Sequence, residues 1–334
     1  MEIPASQPTV VNRLRFAADA AFAMLAGMQL DVFTPLQNGP MSAEDIAGAI
    51  GVGASRLRLL LYSLVAAGLL TEQDGRFSNT PEANQFLVSG TPSYIGHMHA
   101  VLSQRWMINL KAAESIRTGV PQAELDFSNS PQEEIETFLR TINRRTVSAA
   151  HGLLERYDFS SVDTLVDVGS GGGGLAITVT KACPHIQATA IDLPLVTPIT
   201  QKIVAEEGVT DRVNVIAADV VSGPIPGSYD VALLRGLLQV LSAEDARRAV
   251  KNTHAALNPG GKIYIIGQIL DDSRMSPLEA VGFNLTFIST YDAGESYTEQ
   301  EHRDWLRQAG FVDIERANSP LPDNLSVMMA RKRE

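Results

Sequence analysis

Residues 164–174 read TLVDVGSGGGG, an apolar run that stops on a glycine-rich turn. A short apolar run ended by glycines reads as a buried strand, and the LAITVTKA that follows reads as a helix to Ala182. Glycines in such a turn let the backbone come close to a ligand, and the helix start offers free N–H groups. Gly169, Gly171 and Gly174 also fit G-x-G-x-x-G, so a dinucleotide fold competes at this point. Outward from the loop the alternation continues. ATAIDL, a helix over 195–207, VNVIAAD, YDVALLR, a helix over 243–257 and KIYIIGQIL follow, and residues 298–334 add one more helix and a final strand pair. Near-continuous apolar strands alternating with helices predict a doubly wound α/β domain whose parallel sheet is covered on both faces.

Three acids narrow the ligand. Asp192 closes ATAIDL, 192 − 173 = 19 residues after Gly173, where a carboxylate accepts two ribose hydroxyls. Asp167 stands two residues before Gly169, and Asp219 ends VNVIAAD. An acid at each of three successive strand ends suits S-adenosylmethionine: one near its ammonium, one on the ribose, one on the adenine amino group.

Before residue 120 the chain has a different character. Residues 12–33 are rich in Ala and Leu with few charges and read as a helix buried on most sides. Ser42 with Asp45 caps a second helix that Gly51 ends, and Ser55 precedes a third, RLRLLLYSLVAAG. Asp74-Gly75 sits in a β-hairpin. Helix, turn, helix and hairpin make a winged helix. Over residues 41–90, Arg56, Arg58 and Arg76 face Glu44, Asp45, Glu72, Asp74 and Glu82, so the unit is net negative. A groove reader needs basic and amide side chains on its second helix, so packing or dimerisation outweighs DNA binding. The polar stretch 121–131 reads as a linker between a winged-helix domain, 1–120, and the cofactor-binding α/β domain, 121–334.

Composition agrees. The 334 residues include 45% apolar and 19% charged side chains, enough for a sizeable core, and the net charge of −11 argues against coating DNA or an anionic membrane. Cys183 is the only cysteine, which excludes an internal disulfide and points to a reducing compartment. MEIPASQPTV lacks the layout of a signal peptide and no apolar run approaches 18 residues, so a cytoplasmic location is expected.

DVGSGGGG, AIDLP, AADV and LNPGGKIYIIG together resemble the class I methyltransferases of the caffeic-acid O-methyltransferase type, over roughly residues 12–332. The resemblance implies S-adenosylmethionine as cofactor, an intertwined homodimer through the N-terminal domain, and a small-molecule acceptor. It implies that Gly169, Gly171, Asp192, Asp219, Val220 and Arg235 line the cofactor, Arg235 standing where the family usually has Lys.

The sequence departs from that family at the chemistry. The family's catalytic His falls on Gln239, and its two supporting glutamates fall on Gln268 and on or beside Ser296, with Glu295 one residue off; the tryptophan under the adenine becomes Leu241. A phenol of pKa about 10 needs a base at neutral pH, and Gln accepts no proton there. The departures therefore favour an acceptor that needs no deprotonation. A thioether sulfur of a small carboxylic acid is the preferred one, as in the bacterial members of the resemblance that methylate 4-methylthio-2-hydroxybutyrate to a sulfonium. The alternatives are O-methylation with a relocated base, C-methylation in a pigment pathway, non-methylating chemistry, drift into an inactive relative and, in a different class, a winged-helix regulator that senses S-adenosylmethionine.

The acceptor pocket is expected along a helix over 132–155, where Phe138, Ile142 and Arg145 share a face. Arg144, Arg145 and Arg105 would make it cationic and suited to a carboxylate; a solvated or salt-bridged face is the competing reading. Trp106 is one of several aromatic candidates to face a sulfonium, with Phe283, Phe287, Tyr291 and Tyr297. The six histidines show no metal-ligand spacing, and no metal is expected.

Overall fold

The computed structural model describes residues 9–124, 129–317, 321 and 324–334. The opening octapeptide and residues 125–128 of the expected linker lie outside the described residues. The chain divides between Met107 and Ile108, earlier than the expected 120/121 boundary.

The first unit holds α1 (Thr9–Gln29), β1 (Met41–Ser42), α2 (Ala43–Ile50), α3 (Ala54–Ala66), β2 (Leu70–Gln73), β3 (Arg76–Asn79), α4 (Pro81–Phe86) and α5 (His99–Asn109), whose last turn crosses the division. It is not all-helical: β2 and β3 form the expected hairpin, and β1 adds a third strand to β3. The Ser42–Asp45 capping box and the left-handed Gly51 both form. Gly53, not Ser55, precedes α3. The first helix stops at Gln29 rather than 33. Asp31 turns left-handed at φ 53° and the Val32 N–H closes on the Gly27 carbonyl at 3.0 Å. That turn sends Val32 and Phe33 into the core with Ile46, Leu57, Leu61, Leu64 and Phe77.

Only Ala23, Gly27 and Met28 of α1 are buried, while Val10, Leu14, Phe16 and Phe22 are exposed in the single chain, so the cover expected for this helix is not supplied by its own chain. The outer face of α3 carries Leu59 and Tyr62, and its Arg58 is held by Glu44.

The second unit begins with α6 (Ala112–Thr118) and α7 (Gln132–Arg156). Then come β4 (Thr164–Val168), α8 (Gly174–Ala182), β5 (Gln187–Asp192), α9 (Thr197–Glu206), β6 (Val213–Ala217), β7 (Tyr229–Arg235), α10 (Ala243–Ala256), β8 (Leu257–Gly267), α11 (Leu278–Thr290), α12 (Glu299–Ala309), β9 (Phe311–Arg316) and β10 (Ser326–Lys332). The sheet order is β6-β5-β4-β7-β8-β10-β9, parallel from β6 through β8, with β10 antiparallel to both neighbours. Alternation along the strands separates two cores. Leu165, Val231, Leu233, Tyr264 and Ile266 face α7, α8 and α9; Val166, Val168, Leu234, Ile263 and Ile265 face α10 and α12. α11 was not foreseen in the sequence. The strand order reverses between β4 and β7, and ligands of such sheets bind in the crevice beyond the carboxyl ends at that point.

Candidate active site

The glycine-rich loop fills that crevice. Gly169, Gly171 and Gly173 all have positive φ, at 69°, 54° and 75°. The loop is pinned from below by Gly169 and Ser170 N–H groups donating to the Ile191 carbonyl at 2.9 and 3.0 Å. The Thr200 hydroxyl donates to the Gly171 carbonyl at 2.6 Å. Close packing leaves no room elsewhere on the loop. A Cβ on Gly169 would stand 2.9 Å from Leu237, and one on Gly172 would stand 2.7 Å from Asn143 Cγ. At Gly171 the nearest atom, Leu139 Cδ2, would be 3.7 Å away, an ordinary contact distance, so this is the loop position at which an added group meets no clash.

The three acids differ in setting. Asp192, the last residue of β5, accepts the Gly171 N–H at 2.7 Å and the Leu193 N–H at 2.8 Å, which ties the loop to the neighbouring strand end. Burial raises its pKa, and those two bonds oppose the rise. Asp167 is wholly buried near the end of β4 and accepts the Ala176 N–H at 3.2 Å. Desolvation, with Asp192 nearby, pushes its pKa to about 7, against the pull of that bond and of Arg235. A buried carboxylate with so little compensation suits a cationic ligand group. Asp219 lies two residues beyond β6; hydrogen bonds from Ser222 and from the Val221 N–H, the latter at 2.9 Å, hold its pKa down. Val220 is buried in the core against α10, and its carbonyl takes the Asn252 amide at 2.9 Å. Arg235 ends β7 on the same sheet face as Asp167, as the alternation from Val231 and Leu233 places it.

The positions that read as a lost base apparatus are occupied by a neutral frame. Gln239, on the short turn Leu238–Val240, accepts the Gln268 backbone N–H through Oε1 at 2.9 Å. Ser296 is fully buried; its N–H donates to Asn284 Oδ1 at 2.7 Å and its hydroxyl to the Ala280 carbonyl at 2.9 Å. Glu295 does not replace it, because Arg274 holds that carboxylate at 3.1 Å. The Tyr297 hydroxyl donates to the Leu241 carbonyl at 2.7 Å.

Along α7, Phe138 packs on the sheet core beside Leu139, Ile142 and Arg145 are half-buried, and Arg144 is exposed, off the face that would line a pocket. Arg105 and Trp106 belong to the first unit, on α5, where Trp106 meets Phe22 edge-on at 5.4 Å. Phe283, Phe287 and Tyr291 form a ladder along α11, with ring centres 5.2 and 6.1 Å apart. Asn143 and Thr200 were not read from the sequence. A polar, weakly helix-forming Asn one turn from buried Leu139 and Thr146 is the signal that could have found the first; Thr200 offered none. A separate cleft of about 520 Å³, lined by His254, Arg307, Gly310, Phe311, Lys332 and Arg333, opens at the opposite edge of the sheet. Two of its cations are engaged, Lys332 on the His254 and Leu257 carbonyls and Arg307 on Asp304.

The chain matches the O-methyltransferase domain over residues 117–312 and the O-methyltransferase dimerisation domain over residues 14–89. It is 29% identical to the 3-hydroxy-5-methyl-1-naphthoate 3-O-methyltransferase of Streptomyces sahachiroi, over 92% of this chain and 90% of that one. It is 26% identical to the N,N-dimethyltransferase OxyT of Streptomyces rimosus, over 97% of each. Among solved structures, the apo S-adenosylmethionine-dependent methyltransferase SibL superposes with a TM-score of 0.81 at 26% identity, covering 98% of this chain and 100% of that one.

Proposed function

Because the chain belongs to the O-methyltransferase family, we propose that it moves the methyl group of S-adenosylmethionine to a small molecule without an enzymic general base. The observation that carries this reading is the bond from the Gln268 N–H to Gln239 Oε1. It fixes a neutral amide where the family's base is expected, and Ser296 and Asn284 complete a frame with no titrating member.

When bound, S-adenosylmethionine supplies an electrophilic methyl group. Asp192 and Gly171 would hold its ribose side, Asp167 its ammonium, and Asp219 with Val220 its adenine, with Gly169 and Arg235 lining the same crevice. The unclashed space at Gly171 and the undercompensated carboxylate of Asp167 fit such a ligand. The protein's contribution is to hold two reactants in line and exclude water. The thioether acid read from the sequence is one acceptor of this class. Relatives named for oxygen and nitrogen transfer share the fold, so the reading rests on a lone pair available at neutral pH rather than on sulfur. The exposed apolar face of α1 supports a homodimer through the N-terminal unit.

Gln239→His tests the reading with methyl-labelled S-adenosylmethionine. A phenol acceptor would gain about 10²–10⁴-fold from a positioned base. An acceptor that needs none should gain nothing, and its pH profile should lack a rising limb from an essential base. A tenfold gain on the native acceptor would return the chain to base-assisted O-methylation.

A further inference from the structure

Gln268 carries a second, unused group. Its side chain is only 4% exposed, and its Oε1 has no hydrogen-bond partner among the described residues. The strand alternation places it. Tyr264 and Ile266 of β8 face α7, while Ile263, Ile265 and Ile269 belong to the opposite core. Gln268 therefore continues the α7 face at the carboxyl end of β8, one strand beyond Arg235 and two beyond Asp167. The amide assignment at Gln239 is fixed by its partner: only an oxygen can face the Gln268 N–H. Gln239 thus holds the backbone at residue 268 and leaves the side-chain carbonyl of Gln268 as a buried acceptor at the carboxyl end of β8, the end at which such sheets bind their ligands. Asn143 Oδ1 and Ser170 Oγ, beside the glycine-rich loop, are likewise buried without a hydrogen-bond partner among the described residues, as are Asn79 Oδ1 in the first unit and Thr290 Oγ1 at the end of α11.

We propose that Gln268 Oε1 receives an N–H of the methyl acceptor, and that the acceptor is a weakly basic amine, such as an arylamine, neutral at pH 7. The proposal rests on the base-free reading above. A neutral amine attacks through its lone pair, forming the nitrogen–methyl bond. The electron pair of the broken carbon–sulfur bond stays on sulfur, and the cationic amine gives its extra proton to water after release. No base is needed before attack. As positive charge grows on nitrogen, its N–H becomes a stronger donor, so the bond to Gln268 tightens towards the transition state. A phenol proton has no taker here, and a thioether has no N–H to offer. A strongly basic alkylamine would first have to lose a proton.

Gln268→Met and Gln268→Leu test this in the full-length protein. Removing an unpartnered buried oxygen should raise the melting temperature of the ligand-free protein by ~2–4 °C. A fall, no change, or failure of both variants to fold would show that the oxygen serves the structure and would overturn the proposal. Calorimetry should give unchanged affinity for S-adenosylmethionine. Labelled S-adenosylmethionine is then offered with matched sets of arylamines, phenols and aryl thioethers. Label is expected on an arylamine, and Gln268→Met should lower that transfer roughly tenfold or more, the loss of one charge-assisted hydrogen bond. Label on phenols or thioethers alone, or on no arylamine, overturns the amine assignment. A gain on phenols by Gln239→His would instead sink the base-free reading, and leaves the melting test of Gln268 to be judged by itself.

Discussion

Asp167→Asn should make the ligand-free protein more stable at alkaline pH while weakening cofactor binding. The wild-type carboxyl is wholly buried, and its pKa rises from 3.8 to about 7. A carboxyl whose folded-state pKa lies above its unfolded value contributes its full stability below pH 3.8. It loses that contribution as the pH climbs through about 7, because the unfolded chain releases the proton first. About three units at 1.36 kcal/mol each amount to about 4 kcal/mol lost by pH 8. Asparagine keeps a carbonyl oxygen for the Ala176 N–H and never ionises. Urea denaturation at pH 4, 5, 6, 7 and 8 should therefore show wild type and variant close together at pH 4, with the variant gaining steadily to several kcal/mol at pH 8. Cofactor binding should run the other way. Wild-type affinity for S-adenosylmethionine should strengthen up to about tenfold per pH unit between 5 and 7 and level off above, since ligand ammonium and ionised Asp167 belong to one bound state; the variant should bind weakly with no such slope. A stability difference that stays flat across pH, or a variant less stable at pH 8, would refute the assignment of Asp167 as an undercompensated buried acid.

Three further outcomes are expected. Asp192→Ala strands the Gly171 and Leu193 N–H groups and removes the ribose acceptor; at about 1–3 kcal/mol, calorimetry should record a roughly ten- to hundredfold loss of affinity for S-adenosylmethionine, and unchanged affinity would take Asp192 out of the site. Gly172→Ala drives a methyl into Asn143 and should cost about 1–3 kcal/mol, much of it restored by adding Asn143→Ala; a double variant no better than the single would show that the clash is relieved elsewhere. Sedimentation at micromolar concentration should return about twice 36.0 kDa, and adding a charge by Phe16→Glu on the exposed face of α1 should shift the protein towards the monomer; an unaltered dimer would place the interface elsewhere.

What was legible in the sequence is what local chemistry dictates. The glycine-rich run 169–174 had to turn the chain sharply between an apolar strand and a helix, and Ser42 with Asp45 had to start one, so both were readable residue by residue. α11 was not. Its run LEAVGFNLTFIST has apolar residues on all sides, Leu278, Leu285 and Ile288 exposed with Phe287 buried, and it starts at Pro277 with no side-chain cap. No periodicity marks such a helix. Asn143 was illegible for a different reason: it matters because α7 crosses the glycine-rich loop, and nothing near residue 143 says so. The two glutamines lie between these cases. Their identities remove the family's base from those two positions, but an absence names no acceptor. The 29-residue separation of Gln239 and Gln268 is closed by the adjacency of β7 and β8, and it is that closure which spends one amide oxygen on the backbone and leaves the other buried with nothing to receive. A fold that merely tolerated the loss of a base would be expected to fill the position with an apolar side chain, since an unpaired buried carbonyl is costly. Retaining one at the sheet's ligand-binding edge is the pattern of a site that expects a donor from its substrate.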